Sequence, residues 1–192
     1  MATQYDTLSD ELQDWITQQS LFFVATAAPE GRVNVSPKGQ DSLRILSPTR
    51  LVWLNLTGSG NESAAHVLAS NRMTIMWCAF AGPPRILRVY GSAEIVHPRD
   101  AKWAEYAQLL PAQAGARQYY VLDIDLVQTS CGYAVPLMEH TADRDVLARW
   151  TDKKGPAGIE DYWRERNQSS ICLLYTSPSP RDQRGSRMPS SA

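Results

Sequence analysis

The chain has 192 residues with Lys+Arg 19, Asp+Glu 20 and 43% hydrophobic side chains, which suits one globular domain and excludes global disorder. A formal charge of -1 excludes general attraction to nucleic acid or to an anionic membrane, and no apolar run approaches the ~18 residues of a membrane span. The 3 Cys are too few and too scattered for a disulfide framework or a zinc site, and the acidic, polar start MATQYDTLSDELQDW is no signal peptide, so a cytoplasmic protein is expected.

Thr7, with Ser9 behind it, can cap a first helix reaching about Gln19, with Leu12, Trp15 and Ile16 on one face. The period then changes. Residues 21–28 (LFFVATAA), a Pro29-Glu30-Gly31 turn and an alternating stretch over 32–36 predict a β-hairpin. Residues 42–46 and 51–56 flank Ser-Pro-Thr and predict a second hairpin, and 61–70 suits a short helix. Residues 72–80 (RMTIMWCAF) form a strand that turns at Gly82-Pro83-Pro84 into a longer one over 86–96. Pro98 sits where it can open another helix at its first turn. Residues 119–128 (YYVLDIDLVQ) alternate and form the last strand, and two polar helices, over 143–153 and 158–166, close the body. Six or seven mostly antiparallel strands with small helices predict a mainly β (α+β) domain of Greek-key, split-barrel type, since closure protects strand edges. The helix over 61–70 is short for a βαβ crossover, which makes a doubly wound sheet the weaker alternative.

From Cys172 the composition breaks into CLLYTSPSPRDQRGSRMPSSA, without periodicity and crowded with Ser, Pro and Arg. The blocks CLLYTSPSPRD and SRMPSSA resemble the two fixed parts of a translated transposon-type sequencing adapter, with Gln183, Arg184 and Gly185 where a variable index would fall. The expectation is therefore one domain over residues 1–171, cut short at its C-terminus, followed by a non-native, disordered tail over 172–192. Without that tail the body is mildly acidic and retains Cys78 and Cys131, both expected to be reduced core cysteines.

Two segments can carry chemistry. In LVWLNLTGSGNESAAH a strand ends at Asn55, a loop of small and hydroxyl residues follows, and a helix begins near Asn61. Backbone N–H groups at a helix start, with glycines that admit close approach, can seat a phosphate. The same loop can equally be a capped turn, and it matches neither a Walker loop nor GxGxxG. In RVNVSPKG, alternation puts Arg32, Asn34 and Ser36 on one strand face, with Lys38 just beyond. That face either hydrogen-bonds a planar heterocycle, whose negative charge Lys38 would favour, or is a solvated outer face.

Taken with RMTIMWCAF, GPPRILRVYG and the closing RWTDKKG and ERNQSSI, these segments resemble the pyridoxamine 5′-phosphate oxidase-like family, and in particular its small bacterial flavin-binding members. The resemblance spans residues 10–171 in order. It implies a split-barrel homodimer with FMN at the dimer interface. Asn34, Val35, Ser36 and Lys38 would contact the isoalloxazine; Asn55, Thr57, Ser59, Gly60, Asn61 and Ser63 would hold the ribityl chain and phosphate. The implied activity is FMN-dependent oxidation or reduction of a small molecule, with electrons from a substrate or a nicotinamide donor. Family members commonly carry basic residues in the phosphate loop, where this chain has Gly60-Asn61-Glu62. Arg72 or Arg88 would have to supply that charge, or a deazaflavin coenzyme would replace FMN. A flavin carrier or sensor without turnover is the non-enzymatic alternative, and a haem-handling barrel, short of histidines, a third.

The remaining candidates read as structural. Trp53 and Trp77 belong to strand packing, His66 to a satisfied or exposed position, and Asp123 and Asp125 to the solvent face of a strand. Three histidines without ligand spacing leave no metal site.

Overall fold

Alternating apolar residues drive the chain into one antiparallel sheet whose strands bury one or both faces. The structure, a computed structural model, describes residues 2–174 and 176. Its elements are β1 (Thr3–Tyr5), α1 (Asp10–Thr17), β2 (Phe22–Thr26), β3 (Asn34–Lys38), β4 (Leu43–Ser47), β5 (Arg50–Leu56), α2 (Glu62–Ser70), β6 (Arg72–Cys78), β7 (Ile86–Val96), α3 (Trp103–Ala107), β8 (Ala116–Ser130) and α4 (Val146–Arg166). The sheet order is β3-β2-β6-β7-β8-β5-β4, with β1 added along the far end of β8. Every pairing is antiparallel. The nine-residue α2 links β5 to β6, which are not neighbours in the sheet. The doubly wound alternative is thereby excluded, and the split-barrel expectation stands.

The sheet wraps a main core built from Val24, Leu51, Trp53, Ile75, Trp77, Leu87, Val89, Tyr120 and Leu122, closed by α1 and α2. A second cluster of Val52, Leu54, Val96, Tyr119 and Val121 lies on the opposite face, under α3. Strand β5 and the start of β8 are therefore buried on both sides, which explains the unbroken apolar run LVWL. It also means that 119–122 do not alternate; polar alternation begins only at Asp123. There Asp123 binds Arg50 on the surface (2.6 Å), and Asp125 is exposed, as expected of a strand's solvent face. Trp53 and Trp77 are core residues, with Trp53 stacked on Tyr120 at 4.7 Å between centroids.

Several boundaries differ from expectation for local reasons. Ser9, not Thr7, caps α1, its hydroxyl accepting from the Leu12 N–H (3.3 Å). Pro98 does not open a helix. The Asp100 carboxylate accepts from the His97 N–H (2.7 Å), and this side-chain turn competes with helix formation, so α3 starts only at Trp103. The two closing helices form one element broken at Gly155, whose φ of 66° and ψ of 170° are non-helical, directly before Pro156. Cys78 is buried as expected, but Cys131 is exposed because β8 has already ended at Ser130. The adapter-like tail lies mostly outside the described residues. Among the described residues, no helix is long and apolar enough to cross a membrane.

Candidate functional site

The floor of a cavity of about 1250 Å³ is made by the ends of β3 and β5. Lys38 leaves β3 at its last position and Trp53, Asn55 and Thr57 follow one another along one face of β5 and just past its end. Trp15 from α1, Phe80 after β6, the 138–144 segment and Trp150 of α4 supply the walls. A volume of this size exceeds the ~300–1,000 Å³ common for small-molecule sites. The aromatic residues lining it, Trp15, Trp53, Phe80 and Trp150, offer faces for a planar heterocycle, beside a polar wall that includes Glu139, His140, Asp143 and Arg144.

Lys38 is the cation at the floor of this cavity, and Arg144 adds a second in its wall. Its ammonium lies over the Trp53 ring, 5.3 Å from the centroid, and burial pushes it below the ordinary lysine value. Desolvation is its one resolved influence, so a negative group placed beside it would recover much of the lost solvation.

The other sequence candidates divide among three places. Asn55 and Thr57 share the cavity with Lys38. Asn34 turns toward α2 instead, its amide donating to the Ser63 hydroxyl (3.3 Å). Ser36 is half-buried on the same strand face, whereas Val35 points outward and is exposed. Asn61 is buried in an amide network: Asn55 Nδ2 donates to Asn61 Oδ1 (3.4 Å), and Gln118 Nε2 donates to the same oxygen (3.2 Å). Asn61 Nδ2 donates back to Gln118 Oε1 (3.4 Å), and Gln118 also donates to the Tyr120 hydroxyl. These amides are thus occupied in holding β5, α2 and β8 together.

The loop over 57–60 is covered by α4. Trp163 donates its indole N–H to Thr57 Oγ1 (3.0 Å), and that hydroxyl donates to the Gly115 carbonyl (2.9 Å). Asn167 Nδ2 donates to the Ser59 carbonyl (3.2 Å), fixing the stretch that leads into Gly60. In the first turn of α2, Glu62 accepts from the Ile171 N–H through both carboxylate oxygens (3.1 Å each). A carboxylate there already complements the helix dipole and opposes a phosphate at the same spot. Neither Arg72 nor Arg88 lines a cavity with this loop; Arg88 donates to the Ser130 hydroxyl (3.3 Å).

The covering hydrogen bonds give a direct expectation. Thr57→Val removes the acceptor of the Trp163 indole and one donor to Gly115, and should cost about 1–3 kcal/mol in denaturant unfolding. Unchanged stability would show that α4 is not held at Thr57.

Sequence reasoning missed Arg117, Gln118, Trp163 and Asn167 as site residues, because each is brought to the loop by β8 or α4. His66, expected to be satisfied or exposed, is 1% exposed. Its Nδ1 lies 3.1 Å from Thr26 Oγ1, while Nε2 has no partner among the described residues. Among the described residues no cluster could hold a metal.

With this geometry in place, the relatives are informative. The family model described as pyridoxamine 5′-phosphate oxidase matches residues 8–131. The pyridoxamine 5′-phosphate oxidase family protein ustO of Aspergillus flavus is 41% identical over 144 residues, covering 72% of this chain and 58% of that protein. The chain thus spans little more than half the length of this fungal relative. The chain belongs to the pyridoxamine 5′-phosphate oxidase family. Among solved structures, a HupZ variant from Group A Streptococcus matches with a TM-score of 0.53 at 19% identity, covering 64% of this chain and 99% of that one. A putative pyridoxamine 5′-phosphate oxidase from Lactobacillus delbrueckii matches with a TM-score of 0.51 at 22% identity, covering 64% and 94%. Both likenesses concern the fold.

Proposed function

We propose that the chain is an FMN-dependent oxidoreductase that acts in the cytoplasm as a homodimer on a small molecule or with a nicotinamide donor. The observation that carries this reading is Lys38, a half-buried cation held over Trp53 that, among the described residues, makes no ion pair, the cavity's carboxylates Glu139 and Asp143 lying on its wall. A flavin would supply the hydride and electron transfer chemistry. The protein's own groups do the rest. Lys38 favours negative charge on a bound ring, Asn55 and Thr57 offer polar contacts at the floor, and Trp15, Trp53 and Phe80 exclude water. Val33 and Val35 support the dimer: they are exposed at or beside the edge strand β3, which among the described residues pairs only with β2, and an apolar open edge invites cover.

The test is the absorption spectrum of the purified full chain, with and without added coenzyme. Two flavin bands, released as FMN on denaturation and bleached by NADH or NADPH faster than free flavin, support the proposal. FMN that binds but is not reduced leaves a carrier or sensor. A single deazaflavin band keeps the cavity but changes the coenzyme. A protein that takes up neither coenzyme overturns the reading.

A further inference from the structure

A second, smaller cavity of about 360 Å³ lies on the other side of the amide network, between the β7–α3 turn, β8 and the last turns of α4. Asn61 and Gln118 line it, whereas Asn55, their network partner, lines the large cavity. One hydrogen-bonded layer of amides therefore divides the two spaces.

The small cavity is positively charged. Arg117, on β8, donates Nη1 to Asn167 Oδ1 (2.6 Å) and Nη2 to the Asn167 carbonyl (3.4 Å). Its guanidinium lies over the Trp163 ring, 5.2 Å from the centroid. Burial pulls this arginine down to about 10, with only the phenols of Tyr120 and Tyr162 opposing. Arg99 enters from the β7–α3 turn, beside His97. Burial, followed by Arg99 and Arg117, lowers the His97 imidazole, against the opposing pull of Asp100. One carboxylate, Glu160, also lines the space, but it is held by Arg164 (3.1 Å), which binds Asp161 as well (2.8 Å). Among the described residues, no carboxylate forms an ion pair with Arg99 or Arg117.

A guanidinium withdrawn from water and answered only by neutral amides is costly unless an anion completes it. Its planar fork matches the oxygens of a phosphate, and a second arginine adds charge from the other side. We propose that the Arg117–Arg99–His97 cavity is a binding site for a small phosphate-type oxyanion, either inorganic phosphate or the terminal group of a phosphomonoester, separate from the cavity beneath Trp53. Asn61 and Gln118 make the site's polar wall, so occupancy would stiffen the partition shared with the large cavity. The site does not depend on the identity of the coenzyme next door.

The experiment is calorimetric titration of the full chain with inorganic phosphate and, separately, with glycerol phosphate, in a non-coordinating buffer at low salt. Each titration is done before and after saturation with FMN. One equivalent should bind in both states, with the tighter of the two ligands identifying the source. Arg117→Met should weaken binding about tenfold or more, and exposed Arg99→Gln, which disturbs no packing, should weaken it severalfold. Arg117→Lys keeps the charge but loses the fork and should fall between wild type and Arg117→Met. No binding to wild type, or binding unaltered in both Arg99→Gln and Arg117→Met, overturns the site. Phosphate that binds the free protein but is displaced stoichiometrically by FMN overturns its separateness. A protein that takes up phosphate but never FMN would leave this site standing and remove the flavin reading instead.

Discussion

Lys38→Met should lower the reduction potential of bound FMN by some tens of millivolts, with about 1.4 kcal/mol corresponding to 30 mV for a two-electron couple. The direction follows from charge: reduction adds negative charge to the ring, and removing the ammonium withdraws its stabilisation. The difference should depend on pH. Burial lowers the lysine's affinity for its proton in the folded chain, so as pH rises through that lowered value the wild-type ammonium is lost. The two potentials should then converge at alkaline pH. Stability moves the other way. In the window between the lowered value and the ordinary lysine value, the unfolded chain binds more protons, so the coenzyme-free wild type gains stability as pH rises. Below that window the folded protein carries the full cost of a buried charge, and Lys38→Met should be the more stable of the two. A spectroelectrochemical titration with a parallel denaturant series checks both halves. Equal potentials across the pH range would remove Lys38 from the site.

The largest loss of stability is expected from Gly91→Ala. Strands β7 and β8 pair over eleven residues of β7, with a register irregularity between Tyr90 and Gly91. A β-carbon on Gly91 would stand 1.9 Å from the Asp123 carbonyl oxygen and 3.0 Å from the Ile124 Cα. These are backbone atoms of the neighbouring strand β8, so the clash cannot be relieved by turning a side chain. One of the two strands must shift, and with it the register that sets Tyr120, Leu122 and Ile124 into the main core. Overpacking typically costs 1–3 kcal/mol; with backbone displacement, about 3 kcal/mol or more is expected. Thermal melting and soluble yield report it. Wild-type stability in this variant would mean that β7 and β8 do not approach as described.

Much of this fold is legible in the sequence, and the limits of that legibility are physical. The hairpins of β2–β3 and β4–β5 announce themselves because each pairs an apolar alternation with a turn of restricted residues. The long β7 follows from Gly82-Pro83-Pro84 ending its predecessor. Strand β1 does not show, since three exposed residues, Thr3–Tyr5, have no buried face and exist as a strand only because β8 continues past β5 and leaves an edge to be covered. The site divides in the same way. Lys38, Asn55 and Thr57 can be found from local pattern and family likeness, and they do share a cavity. Asn34 and Ser63 lie on separate segments of the sequence, and the structure joins them to each other away from that cavity. Val35 points outward because a strand shows alternate residues to opposite faces, so a contiguous run cannot all face one ligand. Arg117 escapes a linear reading altogether. In sequence it is one basic residue before a strand; its meaning comes from Trp163 and Asn167, some fifty positions later.

The break in α4 bears on how the two cavities relate. Trp150, before Gly155, stands over the large cavity, while Trp163 and Asn167, after it, roof the small one. An uninterrupted helix would behave as a single lever, and any tilt over one space would be passed to the other. Gly155 and Pro156 interrupt the ladder of backbone hydrogen bonds that makes a helix stiff, and the turn of chain between them acts as a joint. Each cavity therefore has its own roof plate. What passes between the two sites then has two routes, the amide partition with β8 and the hydrogen bond from Trp163 to Thr57 at the edge of the large cavity.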